Sequence, residues 1–362
     1  MKRRPPRAEE ALARVVLDRY LALRRGESVT IESWSHGLPW ARSFVVEARR
    51  RGARAVLVLE DEEAYFRSLE VAGSPALSGI SPRVAGRSDA YVYFGGPEAF
   101  HRLFGVPVRD LESLVARHDG TWWRAARRSR TRAVRLAIAD ATPTAAARYG
   151  VDSTAWQEEL LAASLVDPAR LETAGRRLLR DLPSFRTLRV QHSNGTDLRV
   201  GIAARAPILD SGRPDRTSGA VWGRIPSGLL IVPLRGGTAE GVWETNRPAY
   251  DRFARPPVAE GGRFEFRSGR LEEFAFDRGG ESFAAAYSAA RRGRERPVAL
   301  TIGLNPAVSN APEVLELGVG TIGLLLGDAP YRGGGRRSGF SFLAALAGAR
   351  VAADGRPWWS GE

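Results

Sequence analysis

Residues 297–343 read PVALTIGLNPAVSNAPEVLELGVGTIGLLLGDAPYRGGGRRSGFSFL, and they limit the possible folds more than any other stretch of the chain. Apolar runs over 298–304, 320–327 and 339–346 are separated by Asn305-Pro306, Gly327-Asp328 and Ser338-Gly339. Continuous apolar runs of this length, bounded by turn residues, predict strands buried on both faces. Loops carried on such strands are where sites are commonly built.

Two motifs in this stretch invite a ligand. Gly318-Val319-Gly320-Thr321-Ile322-Gly323 fits the glycine spacing of a dinucleotide fingerprint. That fingerprint needs a helix behind it and an acidic residue about 20 positions on. The following residues read instead as a strand, so the motif is rejected. Arg332 to Ser338, RGGGRRS, is a candidate anion nest in which free backbone amides and the guanidinium groups of Arg336 and Arg337 take a carboxylate or phosphate. A solvated loop is the plainer alternative. Asp328 and Tyr331 beside it are candidates to bond a ligand amine or carbonyl.

The first half has a different rhythm. Helical spacing over 7–24 stops at Gly26, and a second helical run over 38–51 stops at Gly52. Strands are predicted at 28–33, 53–59, 89–94 and 133–139, with a helix over 61–69 and a loop-rich stretch over 72–84. This alternation predicts an open doubly wound sheet with its ligand crevice at the strand C-termini. Those ends are Ser33-Trp34-Ser35-His36, Leu59-Glu60-Asp61, Phe94-Gly95-Gly96 and Ala139-Asp140-Ala141-Thr142. The acidic run Glu60 to Glu63 reads as a helix N-terminus, where carboxylates favour the dipole, before it reads as a metal site. Trp122-Trp123, set among arginines, is a packing element or a stacking platform. Helices over 152–165 and 167–182 begin with Asp152 and with Asp167-Pro168.

Pro183 marks the expected domain boundary, giving domains 1–183 and 184–362. Beyond it the chain turns β-rich. Ser193-Asn194-Gly195 joins strands at 185–192 and 196–203, further strands are predicted at 229–232, 241–244, 263–267 and 271–276, and a helix at 282–291. The fold class is α/β: an N-terminal open doubly wound, Rossmann-like sheet domain and a C-terminal β-rich α+β domain.

Composition removes several kinds of chemistry. The chain has no cysteine and four histidines, His36, His101, His118 and His192, none of them after position 192. Thiol catalysis and disulfides are excluded, and no Ser-His-Asp or Cys-His set can be assembled in the second half. A metal site there would have carboxylates alone, which suit magnesium or calcium better than zinc or iron. His192, at a hairpin turn, reads as structural. The net charge is +13, with Lys2 the sole lysine. That favours acidic partners, peptides included, while no helix-turn-helix or RNA-binding signature points to nucleic acid. Nothing approaches the ~18 apolar residues of a membrane span, and the basic N-terminus lacks a signal core, so a cytoplasmic location is expected.

In their order, NGTDLRVGI (194–202), RIPSGLLIVP (224–233) and the 297–343 stretch resemble the C-terminal half of the M29 metallo-aminopeptidases and the related 2,5-dihydroxypyridine ring-cleaving dioxygenases. The resemblance implies a two-domain subunit, a homodimer and a cleft shaped for a peptide. It also implies metal ligands at five positions. Here those positions hold Leu229, Ala299, Gly323, Ser341 and Leu343. Leucine, alanine and glycine side chains carry no donor atom, and a lone serine hydroxyl is a poor ligand for zinc or iron.

The expectation is therefore a protein with no catalytic residues, metal or cofactor, one that binds a peptide or small acidic ligand. It would serve a partner enzyme, for instance one that tailors a ribosomally made peptide. The candidate binding residues are Trp222, Ser227, Leu229, Asn305, Asp328, Tyr331, Arg336, Arg337 and Phe340. One rival is an active aminopeptidase or dioxygenase with relocated ligands, for which Glu313 and Glu316 leave room. The other is an arginine-rich nucleic-acid binder.

Overall fold

A computed structural model describes residues 7–72, 87–105, 126, 128–214, 222–249, 258–328 and 338–361. It is a mixed α/β structure with one parallel sheet and two antiparallel sheets. The chain divides into two compact units, Met1–Pro168 with Gly212–Ser227, and Ala169–Ser211 with Gly228–Glu362. Pro183, the expected boundary, lies within the second unit, and the first unit takes back a short later segment.

The first unit holds β1 (Ser28–Trp34), β2 (Arg54–Glu60), β3 (Ala90–Phe94) and β4 (Arg132–Leu136), as the apolar runs predict. β4 ends earlier than expected, because residues Ala137–Asp140 wind into a 3-10 turn. The N-terminal helix also differs from expectation. It is α-helical over Ala8–Val15, widens to a π-turn over Val16–Tyr20, and is followed by Ala22 at φ 45°. Helix Leu38–Arg50 buries Trp40, Ala41, Phe44 and Ala48, the i, i+1, i+4, i+8 stripe that its spacing sets on one face. Phe44 meets Phe94 edge to face at 5.2 Å.

The second unit carries β5 (Thr187–Gln191), β6 (Asp197–Gly201) and β7 (Ile208–Asp210). β8 (Trp222–Ile225) belongs instead to the first unit, where it pairs with β4 and completes the all-parallel order β2-β1-β3-β4-β8. This strand was not expected from its four residues. Then come β9 (Leu229–Pro233), β10 (Glu240–Glu244), β11 (Arg263–Arg267), β12 (Arg270–Ala275), β13 (Pro297–Gly303), β14 (Thr321–Gly327), β15 (Ser341–Ala347), β16 (Arg350–Ala353) and β17 (Arg356–Ser360).

These make a seven-stranded sheet, β12-β11-β10-β6-β5-β16-β17, and a five-stranded sheet, β15-β14-β13-β9-β7. Phe342 of β15 meets Phe264 of β11 at 5.9 Å, and Phe283, on helix Glu281–Ala289, stands 4.6 Å from Phe342 and 5.6 Å from Phe264. This aromatic cluster ties the two antiparallel sheets together.

Candidate functional site

The strand register places all five expected ligand positions on one face of the five-stranded sheet. Leu343, Leu325, Ala299 and Pro233 stand opposite one another in one row. Two residues along, on the same face, Ala345, Gly323, Thr301 and Ile231 form the next row. Gly303 and Leu229 follow, and Ser341 lies two residues before Leu343.

That face is packed with hydrocarbon. Leu229 and Ala299 are each 2% exposed, and Leu325 and Ile231 are buried beside them. A Cβ on Gly323 would come within 2.5 Å of Thr301 Oγ1 and 2.8 Å of Leu343 Cδ1, so those side chains occupy the space a histidine would need. Thr301 is 0% exposed, and its hydroxyl has no hydrogen-bond partner among the described residues. A Cβ on Gly303 would meet the backbone of Glu316 to Gly318, with the Gly318 carbonyl oxygen 2.0 Å away. Among the described residues no group of three or more His, Asp or Glu is arranged to hold a metal ion. Glu313 and Glu316 are half-buried on the loop before β14, and both are engaged in contacts.

Within the second unit the described candidates lie at two ends of the five-stranded sheet. In the second unit Leu229 and Asn305 share one end of the sheet. Gly228 accepts from the Leu304 amide, and a Cβ on it would lie 3.2 Å from that of Asn305. Asn305 is 0% exposed, and its side-chain oxygen takes the Ala307 amide at 3.0 Å, an Asx-type turn ahead of Pro306. Asp328 and Phe340 lie at the other end of β13 and β14, about 20 Å away by the rise of a seven-residue strand.

Asp328 accepts the Ser338 amide at 3.0 Å, the Ser338 hydroxyl at 2.9 Å and the Gly339 amide at 2.9 Å, so both carboxylate oxygens close the loop between β14 and β15. Phe340 is 5% exposed and packs on Phe283 and Tyr287. Trp222 and Ser227 belong to the first unit. Trp222 packs against Tyr91 and Ala133, and Ser227 is 2% exposed. Tyr331, Arg336, Arg337, Trp122, Trp123 and His118 lie outside the described residues.

The first unit keeps polar chemistry that motif reading missed. Glu32, Tyr93, Arg135 and Arg224 stand opposite one another across β1, β3, β4 and β8. They form a polar row in a parallel sheet that is otherwise mostly apolar, close to the strand C-termini. The Tyr91 hydroxyl, one row back on the same face, donates to the buried Glu32 carboxylate. Arg135 donates to Asp140 at 2.7 Å. Gly95, at φ 52°, has to be glycine, because a Cβ there would meet Asp140 Oδ1 at 2.5 Å. Burial, and then the negative charge of Glu32, push the Tyr93 phenol well above its ordinary range. A period-two count would have found this row, because Glu32, Tyr93 and Arg135 each interrupt an apolar run.

The acidic run at the end of β2 is structural, as its helix-start reading expects. Asp61 caps the helix Glu62–Ala72 through the Ala64 amide at 2.8 Å, and Glu62 takes the Glu98 and Ala99 amides at 2.6 and 3.2 Å. His192 sits in the hairpin turn, its Nδ1 accepting from the Asn194 amide at 3.1 Å.

The fold built from these sheets is the one shared by M29 aminopeptidases and 2,5-dihydroxypyridine dioxygenases. Wild-type AmpT from Thermus thermophilus superposes over 96% of this chain and 95% of its own, with a TM-score of 0.70 and 19% identity. The 2,5-dihydroxypyridine dioxygenase from Pseudomonas putida KT2440 covers 98% of this chain and 96% of its own, with a TM-score of 0.62 and 14% identity. No family model matches the sequence, and no curated protein does. At these identities the likeness is one of fold. The metal ion that the sequence resemblance implies does not fit the five positions where its ligands would fall, because four are hydrocarbon or glycine and one is a lone serine.

Proposed function

We propose that this chain is a metal-free, peptide-binding pseudoenzyme on an M29-like scaffold. In this reading the first unit is the open doubly wound domain and the second is the aminopeptidase-like domain. The protein presents a peptide to a partner enzyme, such as one that tailors a ribosomally made peptide. The observation that carries the reading is the sheet face holding Leu229, Ala299, Gly323 and Leu343, which is closed by packing where a hydrolytic centre would need donors. Replacing buried ligands and ion together by hydrocarbon leaves no unpaired charge, so such a scaffold stays stable without its metal. The net charge of +13 supports an acidic peptide as the cargo, with Arg336 and Arg337 as its carboxylate contacts.

Two measurements test this. Elemental mass spectrometry of protein purified without chelators is expected to find less than about a tenth of a transition-metal ion per chain. One or two ions per chain would overturn the pseudoenzyme reading and favour an active enzyme with relocated ligands. Titration with acidic and basic peptides of equal length is expected to show binding of the acidic set, weakened in Arg336→Glu/Arg337→Glu. A protein that binds random duplex DNA with a steep salt dependence, and no peptide, would favour the nucleic-acid reading instead.

A further inference from the structure

Among the described residues strand β2 is an edge of the parallel sheet, and its sequence, RAVLVLE, lacks the devices that usually blunt an edge. It has no proline, no bulge interrupts its seven-residue register with β1, and its five central residues are aliphatic. Val56 is 57% exposed and Leu59 48%. Four of the other five edges are blunted: β7 has three residues, β8 runs into Pro226, β12 carries Glu272 and Glu273, and β17 contains Pro357; the fifth, β15, is apolar, and Asn246 bonds both main-chain groups of its last residue, Ala347.

The backbone of β2 is set for one kind of partner. The Arg54 amide donates to Glu27, on the β1 side, at 2.8 Å. By alternation Val56, Val58 and Glu60 also turn their main-chain groups toward β1, and Ala55, Leu57 and Leu59 turn theirs to the free edge. Leu57 is the midpoint of the strand. About a two-fold axis through it, an antiparallel copy of β2 would set Leu57 opposite Leu57 of the second copy, Ala55 opposite Leu59 and Val56 opposite Val58. The Leu57 and Ala55–Leu59 pairs would exchange both of their main-chain hydrogen bonds. Arg54 would then face Glu60 at each end. Neither side chain has an ion-pair partner among the described residues.

The geometry points to β2 as a self-complementary interface, through which two copies of this chain join their parallel sheets edge to edge. An isologous contact needs one patch that complements itself, and β2 has this in both charge and hydrogen-bond pattern. An unrelated extended peptide would need only the backbone edge, and would leave the symmetric placement of Arg54 and Glu60 about Leu57 without a role.

Sedimentation of the full chain across a concentration series tests the proposal. The unmodified protein is expected to dimerise. Arg54→Glu sets like charges at both ends and should weaken the dimer by about tenfold. Adding Glu60→Arg should restore it, which a merely structural role for either residue would not do. Val56→Lys should weaken the dimer further while leaving the circular dichroism of the monomer unchanged.

The chain has no cysteine, so Leu57→Cys gives a clean probe. Facing residues of a hydrogen-bonded pair lie about 5.5 Å apart at Cα, and oxidation should yield a covalent dimer. A monomer at every concentration would overturn the proposal. So would a dimer insensitive to Arg54→Glu and Val56→Lys, or a monomer that takes up an extended peptide at this edge.

Discussion

The parallel sheet of the first unit and the five-stranded antiparallel sheet of the second treat buried polar atoms in opposite ways. In the first, Glu32 is buried and receives the Tyr91 hydroxyl, and Arg135 is held by Asp140. In the second, the face on which the resemblance puts metal ligands is aliphatic, and the Thr301 hydroxyl has no partner among the described residues. A buried charge is tolerated where partners satisfy it, and a face without such partners is built of hydrocarbon. The difference therefore marks which sheet still has electrostatic constraints to meet.

The sharpest way to break this contrast is to place a carboxylate on the aliphatic face. Leu229→Glu buries a carboxylate among aliphatic neighbours and is expected to cost about 4 kcal/mol in denaturant unfolding, with neither metal uptake nor peptide hydrolysis gained. Hydrolysis recovered from that single change would sink the pseudoenzyme reading. The converse change in the first unit, Tyr91→Phe, takes a donor from a buried carboxylate. It is expected to cost about 2–3 kcal/mol, although it removes one atom and no packing. A cost near zero would mean that Glu32 does not depend on this bond.

Glu47 extends the comparison, because it is a further buried carboxylate of the first unit with full partnership. It is 3% exposed, and Arg51, Arg50 and Arg14 all donate to it. Burial pushes its carboxyl up, but the three guanidinium groups outweigh that and hold it below the ordinary value of 4.5. A depressed carboxyl contributes stability above its unfolded pKa and loses it as pH falls through the folded value. Glu47→Gln should therefore cost about 1–2 kcal/mol at pH 7 and progressively less below pH 4.5. A penalty that stayed constant down to pH 3 would show that the loss is one of shape and not of charge.

How far the sequence revealed this architecture depended on what each element is made of. The apolar runs at 298–304 and 320–327 could hardly be other than buried strands, and the Asn194-Gly195 turn located its hairpin. β7 and β8 were hidden because three or four residues carry too little period to read, and β8 joins a sheet whose other strands lie far upstream. β17 was masked by Pro357. At the candidate site, the sequence shows that Leu229, Ala299, Gly323, Ser341 and Leu343 offer one hydroxyl among five side chains, while strand register is what sets them on one face. That Asp328 and Phe340 lie a sheet-length from Leu229 and Asn305 was not legible, since antiparallel pairing, not spacing along the chain, sets that separation.

The smallest expected effect runs the other way, and it tests the aliphatic face most directly. Thr301 stands in the row with Gly323 and Ile231 and is fully buried, so its hydroxyl gave up water on folding and gained no partner among the described residues. Valine has nearly the same outline and no such group to desolvate. Thr301→Val is expected to raise stability by about 0.5–1 kcal/mol, read as a higher denaturant midpoint at unchanged slope. The gain should disappear in Thr301→Ser, which keeps the hydroxyl and loses a methyl. A protein weakened by Thr301→Val would mean that the hydroxyl is bonded in solution, to water or to a ligand, and that this face still has polar chemistry to find.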